Sequence, residues 1–143
     1  MKKQKISVVG LGFVGLTLAA VNAKKGFSTI GIDINQKKIK NLKNGIPDFF
    51  EPKLEKILNE SIKKEKIIFS QDFESILKTD ITFVTVGTPS SNNGNIELKY
   101  LNNAIKNIIK TLKNKKTSHL IVIKSTVIPT TTINQIYPKI RKN

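Results

Sequence analysis

The chain has 143 residues, 25 Lys and Arg against 10 Asp and Glu, a formal net charge of +15, eight glycines and no cysteine. That length suits one domain with a proper core. The lack of cysteine excludes disulfides and thiolate metal sites and fits a cytoplasmic protein, and no stretch reaches the roughly 18 continuous apolar residues of a membrane helix.

The charge is compatible with nucleic acid, a membrane surface or anionic small molecules. Its pattern favours a solvated surface: Arg141 is the only arginine, and lysines scatter over every predicted helix face among many Ile and Asn residues. Such usage reads as drift in an A+T-rich genome. A nucleic-acid face would interleave arginine and aromatic side chains with the charge, so neither nucleic acid nor membrane is expected as a partner.

After a basic start, Met-Lys-Lys-Gln-Lys, an apolar run is broken by glycines and reads as strand and turn, not as a signal peptide. Residues 5 to 15 run from this strand into Gly10, Gly12 and Gly15. In a dinucleotide-binding βαβ unit the first glycine permits the tight turn. The second lacks the β-carbon that would hold a pyrophosphate off the backbone, and the third lets the helix pack close to the sheet. The phosphates then meet the open N–H groups at the helix N-terminus. A helix is expected from Leu16 to Lys25, and a second strand, Ser28 to Ile32, ends at Asp33. There a carboxylate can accept hydrogen bonds from the adenosine ribose and repel the 2′-phosphate of NADP.

A short helix (Gln36 to Lys43) and a loop (Asn44 to Phe50) follow, with Pro52 placed in the first turn of the next helix. Leu54, Ile57, Leu58 and Ile62 form that helix's apolar stripe. Ile67 to Phe69 is a third strand, Phe73 to Leu77 a brief helix, and Ile81 to Val86 a buried fourth strand. A polar, mobile loop is expected from Pro89 to Asn95, then a long helix with Leu101, Ile105, Ile108, Ile109 and Leu112 facing the core. Leu120 to Ile123 is the fifth strand, and Pro129 opens a final helix. The alternation implies an α/β fold with a doubly wound, mostly parallel sheet of about five strands; with the glycine turn and Asp33 it reads as a Rossmann-like NAD-binding domain.

Ligands in such sheets bind beyond the carboxyl ends of the strands, where the strand order reverses. The fourth strand ends in Gly87-Thr88-Pro89 and the fifth in Ser125-Thr126-Val127. Thr88 and Thr126 can hydrogen-bond the nicotinamide-side ribose or a substrate; equally, they can cap turns, as such residues often do.

Gly10-Leu-Gly-Phe-Val-Gly15, Gly31-Ile-Asp33, Glu51-Pro-Lys-Leu54, Val86-Gly-Thr-Pro89 and Lys124-Ser-Thr-Val127 occur in order at suitable spacing. Across essentially the whole chain this resembles the N-terminal domain of the UDP-glucose/GDP-mannose dehydrogenase family. The resemblance implies oxidation of the C6 alcohol of a nucleotide sugar, UDP-glucose first among the candidates, to a carboxylate with two NAD. It implies NAD contacts at the glycine turn, including Phe13 and Val14, at Asp33, at Lys38, and at Gly87, Thr88 and Thr126. It also implies a homodimer for the full-length enzyme. Two positions depart from the family pattern: Lys53 and Thr130 stand where glycine is usual, which puts the local backbone there in question.

The family's catalytic cysteine, which forms a thiohemiacetal with the aldehyde intermediate, has no counterpart among these residues. By the resemblance its Lys, Asn and Asp partners lie in a central helix and second domain beyond residue 143. The chain therefore reads as the NAD-binding front part of an enzyme, inactive alone. His119 and Asp80 fall at the strand ends opposite the ligand rim, and Glu51 and Glu97 suit structural roles. Two alternatives stay open: another NAD-dependent dehydrogenase, such as a 3-hydroxyacid type, and a non-catalytic module binding dinucleotide or nucleic acid.

Overall fold

The computed structural model describes residues 3–90 and 94–141. Five parallel strands form one sheet: β1 (Ile6–Val9), β2 (Thr29–Ile32), β3 (Ile67–Ser70), β4 (Ile81–Val84) and β5 (Leu120–Ile123), ordered β3-β2-β1-β4-β5. The order reverses between β1 and β4, so the ligand crevice of a doubly wound sheet falls beyond Val9 and Val84.

The strands are short β-branched runs because both faces are covered. On one face Ile6, Val8, Ile67 and Phe69 pack under α1 (Phe13–Lys24), α2 (Gln36–Lys43) and α3 (Leu54–Lys63). On the other, Val9, Ile30, Ile32 and Val84 pack under α4 (Lys99–Leu112) and the 3₁₀ segment Phe73–Lys78. Helix α1 presents small residues to the sheet, Gly15, Ala19, Ala20 and Ala23, which lets its backbone lie close. On β2, Gly31 makes room for Phe69, whose ring would sit 2.7 Å from a β-carbon there.

Several boundaries shift from those expected. Helix α1 starts at Phe13, immediately after Gly12, rather than at Leu16. Pro52 lies in the turn before α3, not inside its first turn, because Lys53 in a left-handed conformation intervenes. Strand β4 stops at Val84 rather than Val86, although Thr85 N–H still reaches the Val9 carbonyl. Pro129 and Thr130 form a turn, and the last helical stretch begins with the π-helical turn Thr132–Ile136, continuing as α5 (Tyr137–Arg141). Residues 91–93 of the expected polar loop lie outside the described residues, while Ser90 pairs with Ile96 in an isolated antiparallel bridge.

All three helices on the first face end in the same way. In α1, Gly26 N–H reaches the Ala23 carbonyl and Phe27 N–H the Asn22 carbonyl. Gly45 and Ile46 do the same after α2, and Glu65 and Lys66 after α3. Such paired closures need a left-handed residue. Gly26 and Gly45 supply it easily, whereas Glu65 adopts φ 52° with a full side chain. Lys53 and Thr130, the two positions where glycine is usual in the family pattern, also take positive φ, 69° and 73°. The backbone keeps the glycine geometry without the glycine.

Candidate functional site

The three glycines of the first turn differ in what they leave room for. Gly10 has φ 94°, and a β-carbon there would lie 2.8 Å from the Val86 backbone. A β-carbon on Gly15 would lie 1.9 Å from the Gly10 carbonyl oxygen and 2.5 Å from Thr85 Oγ1. Gly12 has no protein atom within 4 Å of that position. Gly10 and Gly15 thus serve the fold, while Gly12 faces open space at the start of α1. There α1 has no side-chain cap, in contrast to α2, where Asn35 accepts from the Lys38 backbone N–H at 3.0 Å. The α1 N-terminus therefore offers N–H groups and a favourable dipole end to an anion.

Thr85, not singled out in the sequence, fixes this turn from just past the end of β4. Its hydroxyl donates to the Gly10 carbonyl at 2.7 Å and the Val9 carbonyl at 3.0 Å. Asp33 stands at the end of β2. Its Oδ2 accepts from Leu11 N–H at 2.8 Å and its Oδ1 from Asn35 N–H at 3.0 Å. The carboxylate is thus aimed by two backbone donors, and each oxygen keeps a further lone pair for a ligand hydroxyl.

The far side of the crevice is closed by the ends of β4 and β5. Thr88 Oγ1 donates to the Thr126 carbonyl at 2.8 Å, so one of the two threonine hydroxyls ties the strand ends together. Ser125 adds a second tie, its hydroxyl donating to the Val86 carbonyl at 2.7 Å. One cleft of about 640 Å³ takes in Gly10, Gly12, Phe13, Val14, Asp33, Lys38, Gly87, Thr88 and Thr126. Every site residue singled out in the sequence except the buried Gly15 is on its wall. Tyr100, Asn103 and Asn107 of α4 line it too. They recur at helical spacing beside the buried stripe of Leu101, Ile105 and Ile108, a polar edge that could have signalled them in the sequence.

His119 lies elsewhere, as its place before β5 implied. Its Nε2 is 2.7 Å from Thr82 Oγ1, and its Nδ1 is 2.9 Å from Lys115 Nζ and 3.1 Å from the Thr79 carbonyl. Ser7 Oγ lies 2.6 Å from Thr82 Oγ1 and 3.0 Å from Thr79 Oγ1, whose hydroxyl donates to the Ile76 carbonyl. With the Lys115 ammonium donating to Nδ1, the donors run in one direction: Lys115, His119, Thr82, Ser7, Thr79. Burial first, and then the Lys115 charge, hold the His119 pKa below its ordinary value. Burial also lowers Lys115, partly opposed by Asp80. Asp80 itself accepts from Lys5 N–H at 2.8 Å, a structural bond. Glu51 accepts the Leu54 N–H through its backbone carbonyl at the entry to α3, and Glu97 N–H closes the bridge loop on the Pro89 carbonyl. Among the described residues no group of His, Asp and Glu could hold a metal ion, and no helix is long and apolar enough to cross a membrane.

The sequence profile of the UDP-glucose/GDP-mannose dehydrogenase family, NAD binding domain, matches residues 4–143. A GDP-mannose 6-dehydrogenase of Pseudomonas savastanoi pv. phaseolicola is 39% identical over 135 residues, which is 94% of this chain and 31% of that protein. A UDP-glucose 6-dehydrogenase of Haloferax volcanii is 36% identical over 138 residues, 96% of this chain and 32% of that one. The crystal structure of a GDP-mannose dehydrogenase from Pseudomonas aeruginosa superposes with a TM-score of 0.94 at 33% identity, covering 96% of this chain and 32% of the other. The chain thus spans about a third of the length of the relatives it matches. The glycine turn, the aimed carboxylate and the profile agree: this chain belongs to the UDP-glucose/GDP-mannose dehydrogenase family, as its NAD-binding domain.

Proposed function

We propose that the chain is the NAD-binding part of a nucleotide-sugar 6-dehydrogenase that oxidises the C6 alcohol of a UDP- or GDP-linked sugar to a carboxylate. The observation that carries this reading is the single cleft joining an uncapped α1, a cleared Gly12 and the doubly held Asp33. In it the backbone from Gly10 to Gly15, with Phe13 and Val14, receives the pyrophosphate. Asp33 accepts the adenosine ribose hydroxyls, with Lys38 at the same edge. Gly87, Thr88 and Thr126 border the nicotinamide-side ribose. Bound NAD supplies a hydride acceptor, and the residues here orient it. The 143 residues include no cysteine, so a cysteine nucleophile for the aldehyde stage comes from outside them. Of the two sugar nucleotides, UDP-glucose is the narrower proposal, and relatives of both kinds match.

Calorimetric titration with NAD tests the reading. Asp33→Ala is expected to weaken binding by about 1–3 kcal/mol, the range for a lost charge-assisted hydrogen bond, with circular dichroism unchanged. With UDP-glucose or GDP-mannose added, the 143 residues alone should bind NAD but yield no NADH. An Asp33→Ala variant that binds NAD like the parent would overturn it, and sustained NADH production would overturn the expectation that these residues are inactive alone.

A further inference from the structure

Asp33 and Lys38 are tied to opposite sides of one residue. The Leu11 N–H donates to Asp33 Oδ2 at 2.8 Å, and the Leu11 carbonyl accepts from Lys38 Nζ at 3.1 Å. The same ammonium has a second partner, Asp48 Oδ2 at 3.0 Å, with the Lys38 side chain 17% exposed and that of Asp48 41%. Asp48 belongs to the loop between α2 and α3, outside every sequence motif of the site. The next residue, Phe49, stacks on Phe13 of the glycine turn with ring centroids 4.8 Å apart, so this loop is fastened to the cofactor turn at two adjacent points.

From these contacts we propose that Asp48 determines cofactor specificity. It neutralises and ties down Lys38, so the ribose edge keeps the negative charge of Asp33 and rejects a 2′-phosphate. An arginine near the ribose site is the device by which this kind of fold accommodates NADP, and Lys38 offers a cation on the wall shared with Asp33. Lys38 alone would cancel Asp33. With Asp48 present the three groups sum to one negative charge. Asp48 is the exposed member of the pair, at 41%, and Lys38 keeps its bond to the Leu11 carbonyl without it, so replacing Asp48 acts on ligand choice more than on the fold. The inference rests on Asp33 being the ribose acceptor.

The test is to measure NAD and NADP dissociation constants by calorimetry for the parent, Asp48→Asn, Lys38→Met and the double variant, with circular dichroism on each. Releasing one unit charge near the surface shifts a dissociation constant by about fivefold to tenfold. Asp48→Asn should therefore raise NADP affinity relative to NAD by about that factor, and the gain should vanish when Lys38→Met is added. An unchanged ratio in Asp48→Asn, or a gain that survives in the double variant, would overturn the proposal. An Asp33→Ala variant that keeps full NAD affinity would instead remove the ribose reading beneath it.

Discussion

The two ends of the sheet carry hollows of similar size and opposite chemistry. Beyond the carboxyl ends lies the 640 Å³ cleft with an uncapped helix, a glycine with nothing over it and a carboxylate held ready. Below the amino ends lies a groove of about 710 Å³ lined by Lys3, Lys5, Lys78, Lys115, Asp80 and His119. There the buried hydroxyls, His119 and Lys115 already hydrogen-bond to one another and to the Thr79 carbonyl. A still larger hollow, about 760 Å³, is lined by the α2–α3 loop and α3 and includes neither the glycine turn nor Asp33. Volume therefore does not mark the site. What marks it is polar groups aimed outward and backbone cleared of side chains, because only these have free energy left to give a ligand.

The strongest way to break this comparison uses two glycines of one turn. Gly15→Ala forces a β-carbon against the Gly10 carbonyl and should cost about 3 kcal/mol of stability, the upper end for overpacking. Gly12→Ala, at φ −72° and in open space, should change stability by less than about 1 kcal/mol yet weaken NAD binding. Urea unfolding and calorimetry on both variants check this. The reverse pattern would show that Gly12 serves the fold and does not clear space for phosphate.

The amino-end network should answer to protons and not to cofactor. Its folded state holds His119 below the ordinary value of 6.5, so below that pH the unfolded chain takes up more protons than the folded one. Stability from this group is then present above about pH 6.5 and lost as pH falls from there toward the lower folded value. Melting temperatures between about pH 7 and pH 5 should drop more in the parent than in His119→Gln. Equal slopes would mean that His119 is no more desolvated than in the unfolded chain.

The smallest expected effect concerns backbone strain at the two ends. Thr130 at φ 73° follows the cleft, whereas Glu65 at φ 52° closes α3 near the start of β3. A left-handed conformation costs an L-residue about 1–2 kcal/mol, partly offset by the extra unfolded-state freedom of glycine. Thr130→Gly should therefore gain about 0.5–1 kcal/mol by thermal unfolding, and Glu65→Gly about the same or less, since Thr is β-branched. If Thr130→Gly also weakens NAD binding, its strain belongs to the site; if neither changes, the strain is relieved locally.

The sequence by itself determined the glycine turn, the carboxylate at the end of β2 and the alternation that makes a parallel sheet. Each depends on local rules: φ freedom, hydrophobic period, and spacing along one βαβ unit. It also carried Lys53 and Thr130, whose departure from glycine was readable although the retained left-handed backbone was not. Only the tertiary structure decided that Thr85 clasps the Gly10 carbonyl and that the Thr88 hydroxyl bonds the Thr126 carbonyl. It alone paired Lys38 with Asp48, and it set Ser7, Thr79, Thr82, Lys115 and His119 into one chain of hydrogen bonds. These partners come from elements brought together by strand order, or from a loop laid over a turn. Spacing along the chain does not encode them, because a side chain's partner is set by which strand end lies beside it once the hydrophobic faces have packed.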